Sequence, residues 1–83
     1  MASTSLADEY PKEQKRVREV LLEYELMRGA PKINVEPAIF MIKAALEEAE
    51  QAAAAGDIGR MVRAFQELRD IQQAYECARE NKL

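Results

Sequence analysis

Three glutamates, Glu47, Glu48 and Glu50, form the densest cluster of side chains that could do chemistry, and Glu47 and Glu50 share one helix face. Carboxylates at this spacing could hold a metal ion. Metal sites built on helices of this kind usually add a histidine, and the 83 residues contain none. The cluster therefore favours a solvated acidic face, and we expect no metal and no cofactor.

Cys77 is the only cysteine, so the chain cannot form an internal disulfide. With no histidine to activate its thiol, a catalytic nucleophile is not expected here, and its position on the helix places it away from the apolar stripe. The glycines at 56 and 59 have the spacing of a helix cap and lack the Lys-Ser/Thr of a phosphate-binding loop. We expect that the protein is not an enzyme.

Basic residues form two small groups that could contact nucleic acid. Acidic residues interrupt both groups, and 12 basic against 15 acidic residues give a formal net charge of −3 at pH 7. Such a balance attracts neither nucleic acid nor an anionic membrane, and no interleaved aromatic motif supports stacking on bases. These arguments make a small nucleic-acid-associated regulator the alternative function and not the favoured one. Its contact residues would be Lys12, Lys15, Arg16, Arg60 and Arg63.

Three amphipathic helices are predicted to position these residues. Apolar side chains recur three and four positions apart over residues 17–27, 35–53 and 58–78, which is the pattern of helices with one buried face. The composition agrees, because 48% hydrophobic residues with only 6% aromatics and few glycines or prolines favour helices over sheets. The predicted fold is an all-α bundle of about three helices.

The first predicted boundary lies near Asp8. Residues 1–7 are small and polar and show no apolar periodicity, so we expect a disordered tail there. Asp8 can accept hydrogen bonds from early helix amides, and Pro11 is tolerated in a first turn. Residues 8–83 are then a single helical domain.

The later boundaries are marked by capping residues. Gly29, followed by Pro31, is expected to end the first helix, and Asn34 to cap the start of the second. Gly56 and Asp57 are expected to cap the end of helix two and the start of helix three. A connection this short predicts that helices two and three form an antiparallel hairpin.

Two helices carry more large apolar residues than one buried stripe needs. One interpretation is a wide core face, since a helix packed between two others buries much of its circumference. The other is a second face used for self-association or for a partner. A chain of this size has a small core, and oligomerisation is a common source of additional stability. The candidate interface residues are Leu22, Leu26, Phe40 and Met41.

No targeting or spanning segment is predicted. Residues 1–6 contain neither a positive charge nor an apolar core, so they do not form a signal peptide. Uncharged runs after Glu36, such as residues 37–42, are far short of the ~20 apolar residues that cross a bilayer. One cysteine suits a reducing compartment. We expect a cytoplasmic protein with no membrane partner.

Two resemblances to known families can be seen. The hairpin around Gly56 and Asp57 looks like one tetratricopeptide-type unit, but a single unit cannot build a solenoid. Residues 9–68 are similar to small proteins encoded by phages and prophages of proteobacteria, which implies a bacterial host cytoplasm and no particular activity. The residues that carry this second resemblance are Glu9, Tyr10, Glu13, Gln14, Arg16, Val17, Arg18, Val20, Leu21, Met41, Ile42, Ala55, Gly56, Asp57, Met61, Arg63 and Ala64.

These observations favour one function and leave one alternative. The favoured interpretation is a non-enzymatic, phage-type accessory or protein-interaction protein that acts as a self-associating helical module. Its expected partner is a second copy, in a homodimer or a higher homo-oligomer, or else an unidentified protein. Nucleic-acid binding through the two basic groups is the alternative.

Overall fold

The computed structural model describes residues 5–80. They form three helices, α1 (Leu6–Leu26), α2 (Glu36–Ala55) and α3 (Ile58–Glu80), and each helix packs against the other two. Within this described stretch the chain forms no β-strand. The predicted all-α bundle of three helices is confirmed.

The first helix begins earlier than predicted. Ser5 is its N-cap, and the Ser5 hydroxyl oxygen accepts a hydrogen bond from the Asp8 amide at 3.3 Å. Leu6 packs against the core. Residues 5–7 are therefore part of the ordered domain and not of the expected tail, because Ser5 and not Asp8 satisfies the free amides. The rest of that tail, residues 1–4, lies outside the described residues.

Pro11 consequently lies in the second turn of α1 and not in the first. Proline has no N–H, so the carbonyl of Ala7 loses the helical hydrogen bond that residue 11 would otherwise donate. Both residues are exposed, and water can therefore satisfy that carbonyl.

The connection between α1 and α2 is stabilised at both ends. Helix α1 ends at Leu26, and Gly29 follows in a turn with a φ of 90°, a left-handed conformation that glycine adopts without strain. Before α2, the Asn34 side chain accepts a hydrogen bond from the Glu36 amide at 3.2 Å, although Val35 occupies the N-cap position itself. Asn34 is therefore not the N-cap that was predicted but lies one residue before it, and its side chain still accepts from the first amide of α2.

The turn between α2 and α3 matches its prediction. Gly56 adopts a left-handed conformation with φ 67° and ψ 23°, and the Asp57 amide donates to the Ala52 carbonyl at 3.2 Å. The Asp57 carboxylate in turn accepts a hydrogen bond from the Arg60 amide at 3.2 Å. One glycine and one aspartate therefore reverse the chain, so that α2 and α3 form the expected antiparallel hairpin.

The core is small and rich in alanine. Its largest fully buried side chains are Val17 of α1, Ile42 of α2 and Leu68 of α3, one from each helix. Ile58, Ala53 and Ala78, which belong to the predicted apolar stripes, are exposed. The buried apolar residues are Tyr10, Val17, Val20, Val35, Ile39, Ile42, Ala45, Ala49, Ala52, Ala64 and Leu68.

Two aromatic contacts show the direction of α1 relative to α3. Near the start of both helices the rings of Tyr10 and Phe65 stack with centroids 6.3 Å apart. Further along, Tyr24 and Tyr75 meet edge to face at 5.9 Å. Helices α1 and α3 therefore run parallel to each other, and both run antiparallel to α2.

Candidate interaction surface

The four candidate interface residues are all exposed. Leu22 exposes 60% of its surface, Leu26 81%, Phe40 77% and Met41 55%. Side chains this exposed contribute little to the core of their own chain. Of the two interpretations of the surplus apolar residues, the structure therefore supports a second face. We call Leu22, Leu26, Phe40 and Met41 the apolar patch.

The antiparallel packing of α1 and α2 brings the patch together at one end of the bundle. An ion pair between Glu25 and Lys43, 3.7 Å apart, crosses the seam between the two helices. Leu22 precedes Glu25 by three residues and Phe40 precedes Lys43 by three, and residues at this spacing are neighbours on a helix surface. Leu22 and Phe40 therefore lie on either side of the ion pair, on the outer surface.

The other two members extend the patch in opposite directions. Leu26 lies one turn beyond Leu22, at the last residue of α1. Met41 lies seven residues, or about two turns, before Glu48, whose carboxylate binds Arg60 of α3, so Met41 is on the side of α2 nearer to α3. Ile33, also exposed, adds apolar surface at the same end from the connection between α1 and α2.

Two further exposed apolar residues were not predicted. Ile58 and Val62 lie one turn apart at the start of α3, next to the turn at Gly56 and Asp57. They are at the end of the bundle opposite the apolar patch. Ile58 was expected in the core, but as the first residue of α3 it lies where the other helices do not cover it.

The basic residues of α3 do not form a free cationic surface. The Arg60 guanidinium donates two hydrogen bonds to the Glu48 carboxylate, at 2.9 and 3.0 Å, and so ties α3 to α2. These bonds hold the pKa of the Glu48 carboxyl below its usual range. Arg63 is exposed and takes part in none of the ion pairs found between residues 5 and 80.

The basic residues of α1 are similarly engaged. Arg16 donates to the buried carboxylate of Glu13 at 2.9 Å, and the Lys12 ammonium lies 3.9 Å from Glu9. Lys15 is the member of this group without such a partner in the described part of the chain. Three of the five candidate cations thus lie beside a carboxylate of the same chain, whereas Lys15 and Arg63 are outside the ion pairs of residues 5–80.

An open groove of about 680 Å³ runs between α1 and the middle of α3. Carboxylates of Glu9, Glu13 and Glu76 and guanidinium groups of Arg16 and Arg69 line it together. The buried Glu13 carboxylate is already bonded to Arg16. Carboxylates and guanidinium groups are thus mixed in the groove, and no single ligand charge is favoured there.

The residues first considered for chemistry are dispersed. Glu48 is engaged by Arg60, whereas Glu47 and Glu50 are exposed on α2. Cys77 is exposed near the end of α3, as its helix position predicted. Across residues 5–80 no three acidic or cysteine side chains are arranged to hold a metal ion.

Comparison of the chain with protein-family models, with curated proteins and with solved structures gave no match in any of the three. Between residues 5 and 80, none of the helices combines the length and the apolar character that crossing a bilayer requires. The geometry of the chain's own residues is therefore what supports a function.

Proposed function

We propose that this protein is a non-enzymatic helical interaction module that associates with a second copy of itself through the apolar patch. The observation that carries this proposal is the exposure of four large apolar side chains at the same end of α1 and α2. Large exposed apolar side chains grouped at one end of a small domain are typical of an interaction site.

The energy available from covering the patch is substantial. Fully burying one leucine, phenylalanine or methionine is worth about 1.5–3 kcal/mol. Because each of the four residues exposes more than half of its surface, association could recover roughly 4–8 kcal/mol per chain. That is enough to offset part of the cost of bringing two chains together.

The shape of the single chain also supports association. The radius of gyration is 14.1 Å, whereas a compact domain of this length would have about 12 Å. Helix α3 is exposed beyond Tyr75, so its last turn has little contact with the other helices. Small, incompletely compact domains commonly gain stability by oligomerisation.

Light scattering on a size-exclusion column tests the proposal by measuring the mass in solution. We expect the wild type to have at least twice the 9.4 kDa chain mass at high micromolar concentration. The variant Leu26→Glu with Phe40→Glu should be a monomer, because charges buried without partners oppose association.

The matched control is Ile58→Glu with Val62→Glu. It introduces the same two charges at exposed apolar positions at the other end of the bundle, and it should keep the wild-type mass. A monomeric wild type would refute the proposal. Loss of association in the control alone would move the interface to α3.

The biological context of the proposal is a phage-type accessory protein in the cytoplasm of a bacterial host. Its support is the resemblance of residues 9–68 to small phage- and prophage-encoded proteins. The genes that neighbour this one test the context directly, because genes of one phage module are usually adjacent. Neighbours without any phage character would contradict it, without bearing on self-association.

A further inference from the structure

The outer surface of α1 and α2 carries a charge pattern in addition to the apolar patch. Lys15 and Arg18 are exposed near the middle of α1, and Glu47 and Glu50 are exposed in the second half of α2. None of these four residues takes part in the ion pairs that the described residues form. All four side chains are therefore free to pair with charged groups of a partner chain.

Contacts between the helices show where these groups lie along the axis of the bundle, a position that we call height. Tyr10 of α1 bonds to Ala49 of α2 near one end, and Glu25 of α1 pairs with Lys43 of α2 nearer the other. Lys15 and Arg18 fall between these two levels and so lie beside the 46–50 segment of α2. The face therefore has an apolar end and a charged end. In the charged end α1 presents the cations Lys15 and Arg18 together with one exposed carboxylate, Glu19, and α2 presents the carboxylates Glu47 and Glu50.

We propose that a second copy covers this face about a two-fold axis parallel to the helices, so that α1 of one copy lies along α2 of its partner. This inference rests on the proposed self-association and specifies its geometry. The rotation preserves the height of every residue while exchanging α1 for α2 across the interface. The result is an antiparallel four-helix bundle with both copies of α3 on the outside.

This arrangement gives the apolar end apolar contacts and the charged end partners of opposite charge. Leu22 and Leu26 of one copy lie near Phe40 of the other, because all three lie within about two turns of one another at the same end of the bundle. Lys15 and Arg18 of one copy face the acidic segment of the partner's α2, which contains Glu47 and Glu50. Every contact occurs twice, as a two-fold interface requires.

The other two-fold arrangement, with α1 packed on α1, fits the same face less well. Centred on the patch, it would pair leucines with leucines but leave Lys15 and Arg18 without acidic partners. Centred on the middle of α1, near residue 16, it would place these cations beside the partner's own Lys15 and Arg18. Only the exchange of α1 with α2 gives each charged half an opposite charge.

The face is large enough for a stable pair. Two helices of about 20 residues, about 30 Å long and about 10 Å wide each, present a surface of roughly 600 Å². Stable complexes bury about 800 Å² of accessible surface on each partner, and side-chain relief raises the accessible area above the flat projection. The apolar patch would exclude water from one end of the interface. The ion pairs at the other end would fix how far the two chains are shifted along each other.

A charge-swap experiment tests the arrangement. One half-swap carries Lys15→Glu with Arg18→Glu, the other carries Glu47→Lys with Glu50→Lys, and the full swap carries all four changes. We expect each half-swap to raise the dissociation constant about tenfold or more through like-charge contacts. The full swap, which keeps the wild-type net charge, should restore it.

Mixing gives the decisive measurement. Full-swap chains and wild-type chains, followed by native mass spectrometry, should form two homodimers and almost no heterodimer, because mixed pairs place like charges together. The control, Arg63→Glu with Arg79→Glu, changes the net charge as much as the first half-swap but on α3, and should leave the dissociation constant within about threefold.

The outcomes separate the two proposals. Free mixing of full-swap and wild-type chains in a dimeric protein would overturn this arrangement and leave self-association intact. Half-swaps with unchanged dissociation constants would also overturn it. A wild type that stays monomeric would overturn both proposals. Circular dichroism of the full swap verifies that the reversed charges leave the bundle folded.

Discussion

Replacing Tyr10 by phenylalanine would remove one atom from the contact between α1 and α2. Tyr10 is buried, and its hydroxyl donates a hydrogen bond of 2.7 Å to the carbonyl of Ala49. Phenylalanine keeps the ring, and with it the stacking on Phe65. The substitution Tyr10→Phe therefore isolates the contribution of the hydrogen bond.

The magnitude follows from what remains after the change. The Ala49 carbonyl lies inside α2 and keeps its helical bond to the amide four residues later. No buried acceptor is left unsatisfied, so the loss is the net value of one hydrogen bond, about 0.5–1.5 kcal/mol. For a domain of this size 1 kcal/mol lowers the melting temperature by about 4–8 °C.

The difference between wild type and variant should depend on pH. Burial raises the pKa of Tyr10, Glu48 raises it further and Arg60 lowers it. In the unfolded chain the phenol ionises near its ordinary pKa of about 10, before it does so in the folded protein. The stabilisation by Tyr10 is therefore complete below about pH 10 and is lost as the pH rises toward the raised value.

Urea denaturation followed by far-UV circular dichroism at about pH 7 and at about pH 11 would measure both effects. The control is Tyr24→Phe, since the Tyr24 hydroxyl makes no hydrogen bond within residues 5–80; it should change the stability at about pH 7 by less than about 0.5 kcal/mol. Equal stability of Tyr10→Phe and wild type at about pH 7 would refute the assigned hydrogen bond. A stability difference that persists unchanged at about pH 11 would refute the raised pKa.

Two local predictions concern helix ends. Gly56→Ala should destabilise the protein by about 1 kcal/mol, because the φ of 67° strains any residue with a Cβ, although the added Cβ would meet nothing within 4 Å. Gly59→Ala should stabilise it by up to about 1 kcal/mol, because alanine favours the helix and its Cβ would lie an ordinary 3.6 Å from the Asp57 carboxylate. Thermal unfolding of both variants checks the pair, and shifts of the same sign would contradict it. Ser5→Ala should cost about 1 kcal/mol or less, since the Asp8 amide loses its side-chain acceptor and keeps only the Ser5 carbonyl at 3.1 Å. An unchanged melting temperature would show that the Ser5 side chain does not cap α1.

The parts of the fold that could be read from the sequence depend on neighbouring residues. A glycine that can end one helix, followed directly by an aspartate that can cap the next, indicates a tight turn between two helices. Both caps and the hairpin were therefore predictable. The start of α1 was harder, because Ser5 and Asp8 are both good caps and lie three residues apart. Packing of Leu6 on the core favours the earlier start, and that contact involves residues distant in the chain.

Burial at the start of α1 was missed although a signal existed. Tyr10 and Glu13 lie seven and four residues before Val17, so the helical period places both on the buried face. The charge of Glu13 hid this, because an isolated carboxylate is seldom buried. Arg16, three residues later, supplies the counter-charge.

The sequence showed that the patch residues lie off the main apolar stripes, but it left open whether they are core or surface, and it could not predict the cross-helix ion pairs. Leu22 and Phe40 are excluded from their stripes by helical period alone, which requires no knowledge of the neighbouring helices. The pairing of Glu48 with Arg60, and of Glu25 with Lys43, depends on how far each helix slides along the next. That register is set by the packing of the whole core.

The sizes of the buried and exposed apolar side chains of α2 are the strongest physical reason to expect an interface with another chain. Of the eleven buried apolar residues, four are alanines, and three of these lie on α2. The same helix places Phe40 and Met41 in solvent. A helix whose only apolar contacts were in the monomer would gain more by burying its large side chains and exposing its small ones. The inner face of α2 is instead suited to close approach by α1 and α3, and its outer face carries the larger apolar area that a second chain would cover.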